Sequence, residues 1–464
     1  MIVRVRFRGY TKMRFNGPVK VRFQPMKEVL LMKKIALVAM VFLAVAGAWS
    51  QTNIEFWHAM TGKNADTVQA LADKFNASQK DFKVVPVYKG SYSDTMNAGI
   101  AAFRAGQAPH IIQVYEVGTA TMMAAKGAVK PVYQLMAENN EKFDPKVYIP
   151  TITGYYSTSD GRMLSLPFNS STSVMYYNKD AFKKAGLDPE KPPVTWPEFF
   201  EMAKKLKASG MEGGFSTNWI SWIQLENFSA WHNLPFGTKN NGFDGLDTQL
   251  VFNNDTVIKH LQTIYDLSKE GVFIYGGREN KANPLFSSGR VGLHFESIGG
   301  YANFKNTCKF EFGVATLPYY PDVKGAPQNS IIGGASLWVF NNKPKADYKG
   351  VADFMAFISL PENQAFWHQS TGYLPITNAA YELTKSQGFY KTNPGPEVAI
   401  KQLLRAAPTG NSMGIRFGNF NIIREIEDQT WEDILAGKIS VKDGINKMVQ
   451  EGNKTLREFE RLNK

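Results

Sequence analysis

Leu166-Pro-Phe-Asn-Ser-Ser-Thr-Ser-Val-Met-Tyr-Tyr-Asn-Lys-Asp180 is the stretch from which the fold can be inferred. An apolar strand ends at Phe168, an uncharged polar run extends from Asn169 to Ser173, and a second strand-like run continues to Tyr177. The polar run offers hydroxyls, amides and free backbone N–H groups, which suit a small polar ligand. Its short side chains also suit a crossing between two lobes, because they tolerate changes in φ and ψ. The same residues are compatible with an ordinary loop between strands.

Length and composition indicate a globular protein with two lobes. A chain of 464 residues can bury two cores, and 44% of its residues are hydrophobic and 20% are charged. The formal net charge of +12 is misleading, because residues 1–50 hold ten Lys and Arg residues and one Glu. Residues 51–464 carry 43 basic and 40 acidic residues, a balance that gives little reason to expect nucleic acid or anionic lipid as partner. The single cysteine, Cys308, excludes an internal disulfide and a metal site built from cysteines.

Residues 32–50 have the pattern of a cleavable export signal. Two lysines precede an apolar run of 11 residues, Ile35 to Val45, which is too short to span a bilayer. Small residues just before Gln51 predict cleavage there, and no cysteine follows that could carry a lipid anchor. We interpret the basic residues 1–31 as the product of a wrongly chosen start codon, or as an unstructured extension. We therefore expect an exported protein. Its location in the periplasm and its monomeric state are further expectations.

Strands and helices alternate after the export signal. Asn53 to His58, Phe82 to Val87 and Ala108 to Tyr115 are predicted as buried strands, separated by runs with helical spacing. This alternation predicts an α/β fold in which a mostly parallel sheet is flanked by helices. Ligands of such sheets bind at the carboxyl ends of strands, where Tyr92 and Glu116 fall.

The polar run and the later apolar runs predict where the chain passes between lobes. We assign residues 51–168 and 318–342 to the first lobe, and residues 169–317 and 343–464 to the second. In this interpretation Gly313 to Leu317 is the strand that returns to the first lobe. Within the second lobe, Thr195-Trp-Pro-Glu198 predicts a capping box at the start of a helix.

Long ungapped runs of the chain resemble one known family. They include Tyr88-Lys-Gly90, Gln113-Val-Tyr-Glu-Val-Gly-Thr-Ala-Thr-Met-Met123, Pro167-Phe-Asn-Ser-Ser-Thr172, Ile331-Ile-Gly-Gly-Ala-Ser-Leu-Trp-Val339 and Thr371-Gly-Tyr-Leu-Pro-Ile-Thr377. With these runs, the chain is similar to the extracytoplasmic solute-binding proteins of ATP-binding-cassette (ABC) importers, and among them to those that bind sn-glycerol 3-phosphate. The resemblance covers residues 53–464. It implies a two-lobed type II periplasmic-binding-protein fold, a cleft between the lobes, and delivery of a captured ligand to a permease without catalysis, cofactor or metal.

The resemblance also implies eight ligand-binding residues. They are Tyr92, Glu116, Ser171, Trp219, Ser297, Gly334, Tyr373 and Arg424. The family tends to have small residues around Ser297, so Glu296 is a departure that adds an acid near the site. Arg416 could compete with Arg424 for its role, and Arg424 could instead pair with Glu427 one helical turn on.

These residue types suit a phosphate ester of a polyol. A phosphate monoester carries a charge of about −1.5 to −2 at neutral pH, so burying it requires hydrogen-bond donors and a cation. Arg424 offers a planar fork for two oxygens, and Tyr92 and Tyr373 are expected to donate from opposite lobes. A carboxylate only accepts, so Glu116 suits the glycerol hydroxyls. Trp219 can cover the carbon skeleton, or a choline cation if the ligand is glycerophosphocholine.

Two other functions stay open from the residues. An oligosaccharide-binding protein of a sugar importer would share the fold, and the tryptophan-rich stretch that contains Trp219 favours a sugar. A hydrolase would need two carboxylates at a set spacing, for example Glu116 and Glu296. The sequence offers no such spacing and no nucleophile motif, so we expect no enzymatic activity.

Overall fold

The structure is a computed structural model that describes residue 17 and residues 51–464. The predicted export signal at residues 32–50 lies outside the described residues, as does the basic segment 1–31 apart from residue 17. Within the described part, no helix combines the length and the apolar character needed to cross a bilayer.

The described part alternates strands and helices. The strands are β1 Thr52–His58, β2 Phe82–Tyr88, β3 Ile111–Tyr115, β4 Val129–Lys130, β5 Leu166–Ser171, β6 Ser173–Asn178, β7 Gly213–Thr217, β8 Val291–Ser297, β9 Phe312–Ala315 and β10 Gly333–Phe340. The helices are α1 Gly62–Ser78, α2 Tyr92–Arg104, α3 Thr119–Ala124, α4 Val132–Glu138, α5 Pro150–Tyr156, α6 Lys179–Lys184, α7 Trp196–Ala208, α8 Phe228–Trp231, α9 Asp255–Lys269, α10 Asn283–Ser287, α11 Tyr301–Thr307, α12 Asp347–Ser359, α13 Pro361–Thr371, α14 Asn378–Ser386, α15 Phe389–Thr392, α16 Pro394–Leu403, α17 Phe420–Leu435 and α18 Val441–Asn463.

Each of two sheets forms the centre of one lobe. The first sheet has the strand order β2-β1-β3-β10-β4, and β5 pairs with the beginning of β10. The second sheet has the order β7-β8-β6-β9. Helices cover both sheets and bury aromatic side chains against them. In the first lobe, for example, Phe75 of α1 packs edge-on against Phe354 of α12, with ring centroids 5.3 Å apart.

Both sheets are mixed, which corrects the expectation of mostly parallel sheets. Parallel pairing joins β1 to β2, β1 to β3 and β7 to β8, and the other pairs are antiparallel. The sheets are mixed because their strands run in both directions relative to the space between the lobes. Strands such as β3, β5 and β8 end there, whereas β6 and β10 begin there after the chain has crossed from the other lobe.

The chain changes sheets at Thr172, within the predicted polar run. Strand β5 ends in the first sheet at Ser171 and β6 begins in the second at Ser173. Residues 313–317 do not return to the first lobe as predicted, because β9 pairs with β6. The return crossing comes later, and the Thr172 hydroxyl lies 2.7 Å from the Ser330 hydroxyl of that segment. The two crossings therefore run side by side as a hinge.

Helices α12 and α13 pack on the first lobe, which corrects the assignment of residues 343–464 to the second. His110 Nε2 lies 3.0 Å from Asp347 Oδ2, and the rings of Phe168 and Trp367 stack with centroids 4.5 Å apart. The chain rejoins the second lobe between α14, which packs on α13, and α16, which packs on β9. Helix α12 packs on β1 and β2, and α13 packs on α1 and stacks Trp367 on Phe168 of β5. These are long-range contacts that no local signal in the sequence predicts.

Candidate ligand-binding cleft

A cavity of about 210 Å³ lies between the two lobes. The eight residues predicted to bind the ligand all line it. Glu116 follows the end of β3, Ser171 and Ser297 are the last residues of β5 and β8, and Gly334 lies at the start of β10. The structure thus brings the predicted set together, and their contacts with a ligand stay a prediction.

Arg424, a residue of α17 that lines the cavity, forms hydrogen bonds with two carboxylates. Its Nε and Nη2 donate to the two carboxylate oxygens of Glu226 at 2.6 and 2.7 Å, and Nη2 also donates to Glu116 at 2.7 Å. Its Nη1 donates to no residue between 51 and 464, which leaves it for a ligand. Arg424 makes no salt bridge with Glu427, the alternative raised by their spacing. Glu226 was missed by sequence reasoning, because it lies in a buried π-helical stretch with no local signal of charge pairing.

The contact between Arg424 and Glu116 joins the two lobes. Helix α17 packs with α18 and α9 in the second lobe, whereas Glu116 follows β3 in the first. Burial raises the pKa of Glu116, and Arg424 opposes that rise while Glu226 adds to it. Burial alone would lower the pKa of Arg424, but Glu226 and Glu116 raise it well above its usual value. Arg424 therefore stays charged and is shared between its two carboxylate partners.

Glu427 and Asp428 add two further buried acids to this helix. Neither carboxylate oxygen of Glu427 has a hydrogen-bond partner among the described residues. Burial raises the pKa of Glu427 well above its usual value, and the charges of Glu226 and Asp428 raise it further. Burial also raises the pKa of Asp428, to about 6. Glu226 and Glu116 are thus the carboxylates that contact Arg424 directly.

Glu296, the acid that departs from the family pattern, lines the cavity beside Ser297. It accepts hydrogen bonds from Asn218 Nδ2 and, at 2.5 Å, from the backbone N–H of Ser297. Burial raises the pKa of Glu296 to about 8, although both hydrogen bonds oppose the rise. At neutral pH the protonated form therefore predominates, so this acid adds little negative charge to the cleft.

Substituting Glu296 by glutamine is expected to flatten the pH dependence of stability. The folded-state pKa of about 8 lies above the ordinary value of 4.5, so the folded protein binds the proton more tightly. The resulting stabilisation is complete below about pH 4.5 and is lost as the pH rises through about 8. Between pH 5 and pH 9 the parent should lose about 2–4 kcal/mol more unfolding free energy than Glu296→Gln. Urea denaturation of the parent and of Glu296→Gln at pH 5 and pH 9 measures this loss. An equal loss in the two proteins would contradict the raised pKa of Glu296.

An exposed acid supplies the control for that comparison. Glu201 lies on the solvent face of α7, so Glu201→Gln should leave the parent pH dependence unchanged. Glu296→Gln is expected to retain a slope from other acids with raised pKa values, among them Glu116, Glu427 and Asp428, which act in the same direction.

Tyr92 and Tyr373 both come from the first lobe, so the expectation that they donate from opposite lobes is wrong. The Tyr92 hydroxyl accepts a hydrogen bond from Asn169 Nδ2 at 2.7 Å. Tyr373 follows α13, and the next residue, Leu374, donates its N–H to Ser170 O at 2.8 Å. The Tyr373 ring still reaches the second lobe, because a Cβ on Gly299 would lie 2.5 Å from it.

Other cavity residues were not anticipated from the sequence. They are Ala59, Met60, Thr61, Asn64, Tyr88, Ser91, Tyr115, Trp222, Glu279, Asn280, Asn283, Gly299, Gly300 and Asn303. Most are small or uncharged residues that follow strands or begin helices, where such residues are common for structural reasons. Within residues 51–464, no three His, Cys, Asp or Glu side chains are placed to hold a metal ion.

Arg416 lies away from this cavity and does not compete with Arg424. Its Nη2 donates to the carbonyl oxygens of Gly154 and Tyr155 at 2.6 and 2.7 Å, at the end of α5. Its guanidinium also lies 4.1 Å from the ring centroid of Phe243. Arg416 therefore acts as a structural cation, tying the segment before α17 to the first lobe.

Known proteins with similar sequences or folds fit this two-lobed arrangement. The family described as bacterial extracellular solute-binding protein matches residues 70–396. The chain is 52% identical over 423 residues to the sn-glycerol-3-phosphate-binding periplasmic protein UgpB of Pectobacterium atrosepticum, covering 91% of this chain and 95% of that protein.

Two solved structures share the fold at low sequence identity. One is UgpB from Mycobacterium tuberculosis in complex with glycerophosphocholine, with a TM-score of 0.75 and 22% identity over 88% of this chain and 99% of that chain. The other is the cyclic alpha-maltosyl-1,6-maltose binding protein from Arthrobacter globiformis, with a TM-score of 0.68 and 24% identity over 88% of this chain and 100% of that chain. The predicted two-lobed periplasmic-binding-protein fold is confirmed, and the chain belongs to the family of bacterial extracellular solute-binding proteins.

Proposed function

We propose that this protein captures sn-glycerol 3-phosphate in the periplasm, as a monomer without enzymatic activity, and delivers it to the permease of an ABC importer. The observation that carries the proposal is the position of Arg424. Among residues 51–464, it is the one Lys or Arg that lines the cavity, and its Nη1 is unoccupied. The name of the P. atrosepticum relative supports the same ligand.

In the proposed binding mode, the phosphate of the ligand contacts Arg424 and its glycerol contacts Glu116. Arg424 Nη1 and the hydroxyls of Ser171 and Ser297 donate to the phosphate oxygens, and Gly334 lets the backbone approach closely. Glu116 keeps one carboxylate oxygen free of hydrogen bonds to the described residues, and this oxygen accepts from a glycerol hydroxyl. Because the donors come from both lobes, the ligand stabilises the closed form of the hinge at Thr172.

The cavity size favours this ligand over an oligosaccharide, the alternative raised by the sequence. Sites for drug-sized ligands have volumes of about 300–1,000 Å³, whereas this cavity measures about 210 Å³. The A. globiformis protein is similar to this chain in its fold, and this similarity does not support a sugar ligand for this chain. Glycerophosphodiesters are proposed as additional ligands because they contain the same glycerol and phosphate groups; the M. tuberculosis protein, whose structure contains glycerophosphocholine, shares the fold with this chain at 22% identity.

Calorimetric titration of the purified exported protein tests the proposal. We expect saturable 1:1 binding of sn-glycerol 3-phosphate that excess maltose does not displace. Displacement by maltose, or heat from maltose alone, would establish the sugar-binding alternative. Release of glycerol or phosphate during prolonged incubation would contradict the absence of catalysis.

Replacing Glu116 by glutamine is expected to weaken selectivity among polyols more than affinity for phosphate. The amide keeps the shape of the side chain and removes one of two negative charges beside Arg424. We expect the affinity ratio of sn-glycerol 3-phosphate to inorganic phosphate to fall about tenfold, because a charge-assisted hydrogen bond contributes about 1.5–3 kcal/mol. Competition calorimetry with both ligands measures the ratio. If the parent binds inorganic phosphate better than the glycerol ester, Glu116 does not contact the glycerol.

A further inference from the structure

We propose that Glu296 binds the phosphate of the ligand as a neutral carboxylic acid that donates its O–H to a phosphate oxygen, so that binding takes up a proton at alkaline pH. The inference rests on the proposed function and adds a binding residue and a dependence on pH to the same cleft. Glu296 is not one of the eight residues that the family resemblance implies, and it stands where the family tends to have a small residue.

Glu296 lies at the cavity wall directly before Ser297, whose hydroxyl is a proposed phosphate donor. The side chain lines the cavity and is only 2% exposed. Its Oε1 accepts the backbone N–H of Ser297 at 2.5 Å. The Ser297 hydroxyl oxygen accepts the N–H of Gly299 at 3.0 Å, which leaves the hydroxyl proton available. The carboxyl group and this hydroxyl therefore belong to the same part of the wall.

Asn218 determines where a proton on Glu296 can be used. Its Oδ1 accepts the N–H of Ala282 at 2.9 Å, so its Nδ2 faces Glu296 and donates to the second carboxyl oxygen. Both hydrogen-bond partners of Glu296 are thus donors, and neither can accept a proton from it. A protonated carboxyl group has one O–H to donate. The acceptor for this O–H has to come from the cavity, where the ligand would lie.

The charges of the cavity require Glu296 to be neutral when a phosphate is bound. No Lys or Arg among residues 51–464 forms a salt bridge with Glu296, and no positive charge opposes the effect of its burial. Arg424 is already shared between Glu226 and Glu116. An ionised Glu296 would repel the phosphate, because two buried anions without a cation of their own disfavour each other. A carboxylic acid that burial keeps neutral can instead act as a hydrogen-bond donor.

The other titratable groups on this wall keep one charge state between pH 7 and pH 9. Burial raises the pKa of Glu296 to about 8. On the same strand, burial lowers the pKa of His294 to about 3, so its ring is neutral. Burial raises the pKa values of Tyr176 on β6 and Tyr373 from the first lobe, so both hydroxyls keep their protons. Helices α10 and α11 place uncharged side chains against this face, and α7 packs on the opposite face of β8.

The parent protein is expected to bind sn-glycerol 3-phosphate about tenfold more weakly at pH 9 than at pH 7. Above about pH 8 the free protein loses the Glu296 proton, whereas the complex keeps it, so affinity falls as the pH rises. The ligand itself keeps most of its double charge over this range, because its second pKa is about 6. Binding at pH 9 should take up about one proton per ligand. Calorimetry in two buffers of different ionisation enthalpy measures the uptake.

Two variants assign this proton to Glu296. Glu296→Gln keeps an uncharged donor at every pH, so its affinity should change less than about threefold between pH 7 and pH 9, and its proton uptake should fall by at least about half. Glu296→Ala removes the donor and should bind about tenfold more weakly than the parent at pH 7. Glu201→Gln on the exposed face of α7 should keep the parent affinities and the parent uptake.

The outcomes separate this inference from the proposed function. Equal proton uptake by the parent and Glu296→Gln, or parent-like affinity of Glu296→Ala at pH 7, would overturn the donor role of Glu296. Glu296→Ala also serves for the uptake measurement if Glu296→Gln fails to fold, and absence of uptake by the parent overturns the inference without any variant. Failure of sn-glycerol 3-phosphate to bind at pH 7 would overturn the proposed function and this inference together. Binding at pH 7 with the same affinity and no proton uptake at pH 9 would overturn the inference alone.

Discussion

Replacing Arg424 and Glu226 together by glutamine is expected to give a folded protein that no longer binds sn-glycerol 3-phosphate. The single change Arg424→Gln leaves Glu226 and Glu116 buried without their cation, and breaking such a pair costs about 3–5 kcal/mol of stability. That loss could abolish folding and hide any effect on binding. Changing Glu226 as well removes one of the two stranded charges and allows two amides to hydrogen-bond in its place, while Glu116 still lacks its cation.

The double variant separates the two roles of Arg424. We expect its unfolding free energy to recover part of what Arg424→Gln loses, since Glu116 still lacks its cation, while its affinity for sn-glycerol 3-phosphate falls at least about 100-fold. The affinity falls because a buried phosphate without its cation loses several kcal/mol. Urea denaturation and calorimetry measure the two quantities. A dissociation constant within about tenfold of the parent value would remove Arg424 from the site.

Arg416 offers a matched control for this experiment. It is also an arginine close in sequence, partly buried, but it donates to backbone carbonyls outside the cleft. Arg416→Gln should reduce stability by about 0.5–1.5 kcal/mol, the net contribution of a typical hydrogen bond, because its carbonyl acceptors are exposed or partly buried, and should leave the affinity within about threefold of the parent. A loss of binding as large as that of the double variant would point to a general disturbance of the closed lobes.

The sequence predicted the features that depend on neighbouring residues. The capping box at Thr195 is present, because the Glu198 carboxylate accepts from the Thr195 N–H at 3.0 Å and the Thr195 hydroxyl accepts in return. The polar run also marks the first crossing to within a few residues, since β5 ends at Ser171. Both signals are contained in a few residues, so they can be read without the rest of the chain.

Features that depend on distant partners could not be predicted in this way. Helices α12 and α13 carry no local signal for either sheet, and packing against Phe75 and Phe168 assigns them to the first lobe. Glu226 and Arg424 are 198 residues apart, and nothing in either segment identifies the other as its partner. The eight cleft residues were found by family resemblance, whereas Glu226 and Glu279 were found from the coordinates.

Substituting Gly334 by alanine is expected to destabilise the fold by about 3–5 kcal/mol. Gly334 has a φ of 86°, and a Cβ built there would lie 1.9 Å from the carbonyl oxygen of Asn169 and 3.3 Å from the Ser171 nitrogen. Those atoms belong to the backbone of β5, so no side chain can rotate away. Relief of the contact requires β5 and β10 to separate at the point where the chain leaves the first sheet.

Gly437 provides the control, because it has a similar φ of 73° and no atom within 4 Å of its Cβ position. Gly437→Ala should therefore lower the unfolding free energy only by the cost of placing alanine in the left-handed conformation, about 1–2 kcal/mol. Urea denaturation of both variants measures the difference, and equal losses would show that β5 and β10 adjust without cost. Separation of the strands would also move Asn169, whose side chain donates to the Tyr92 hydroxyl. Gly334→Ala is thus expected to weaken ligand binding even in the fraction that folds, because the same close contact sets the sheet register and the cleft wall.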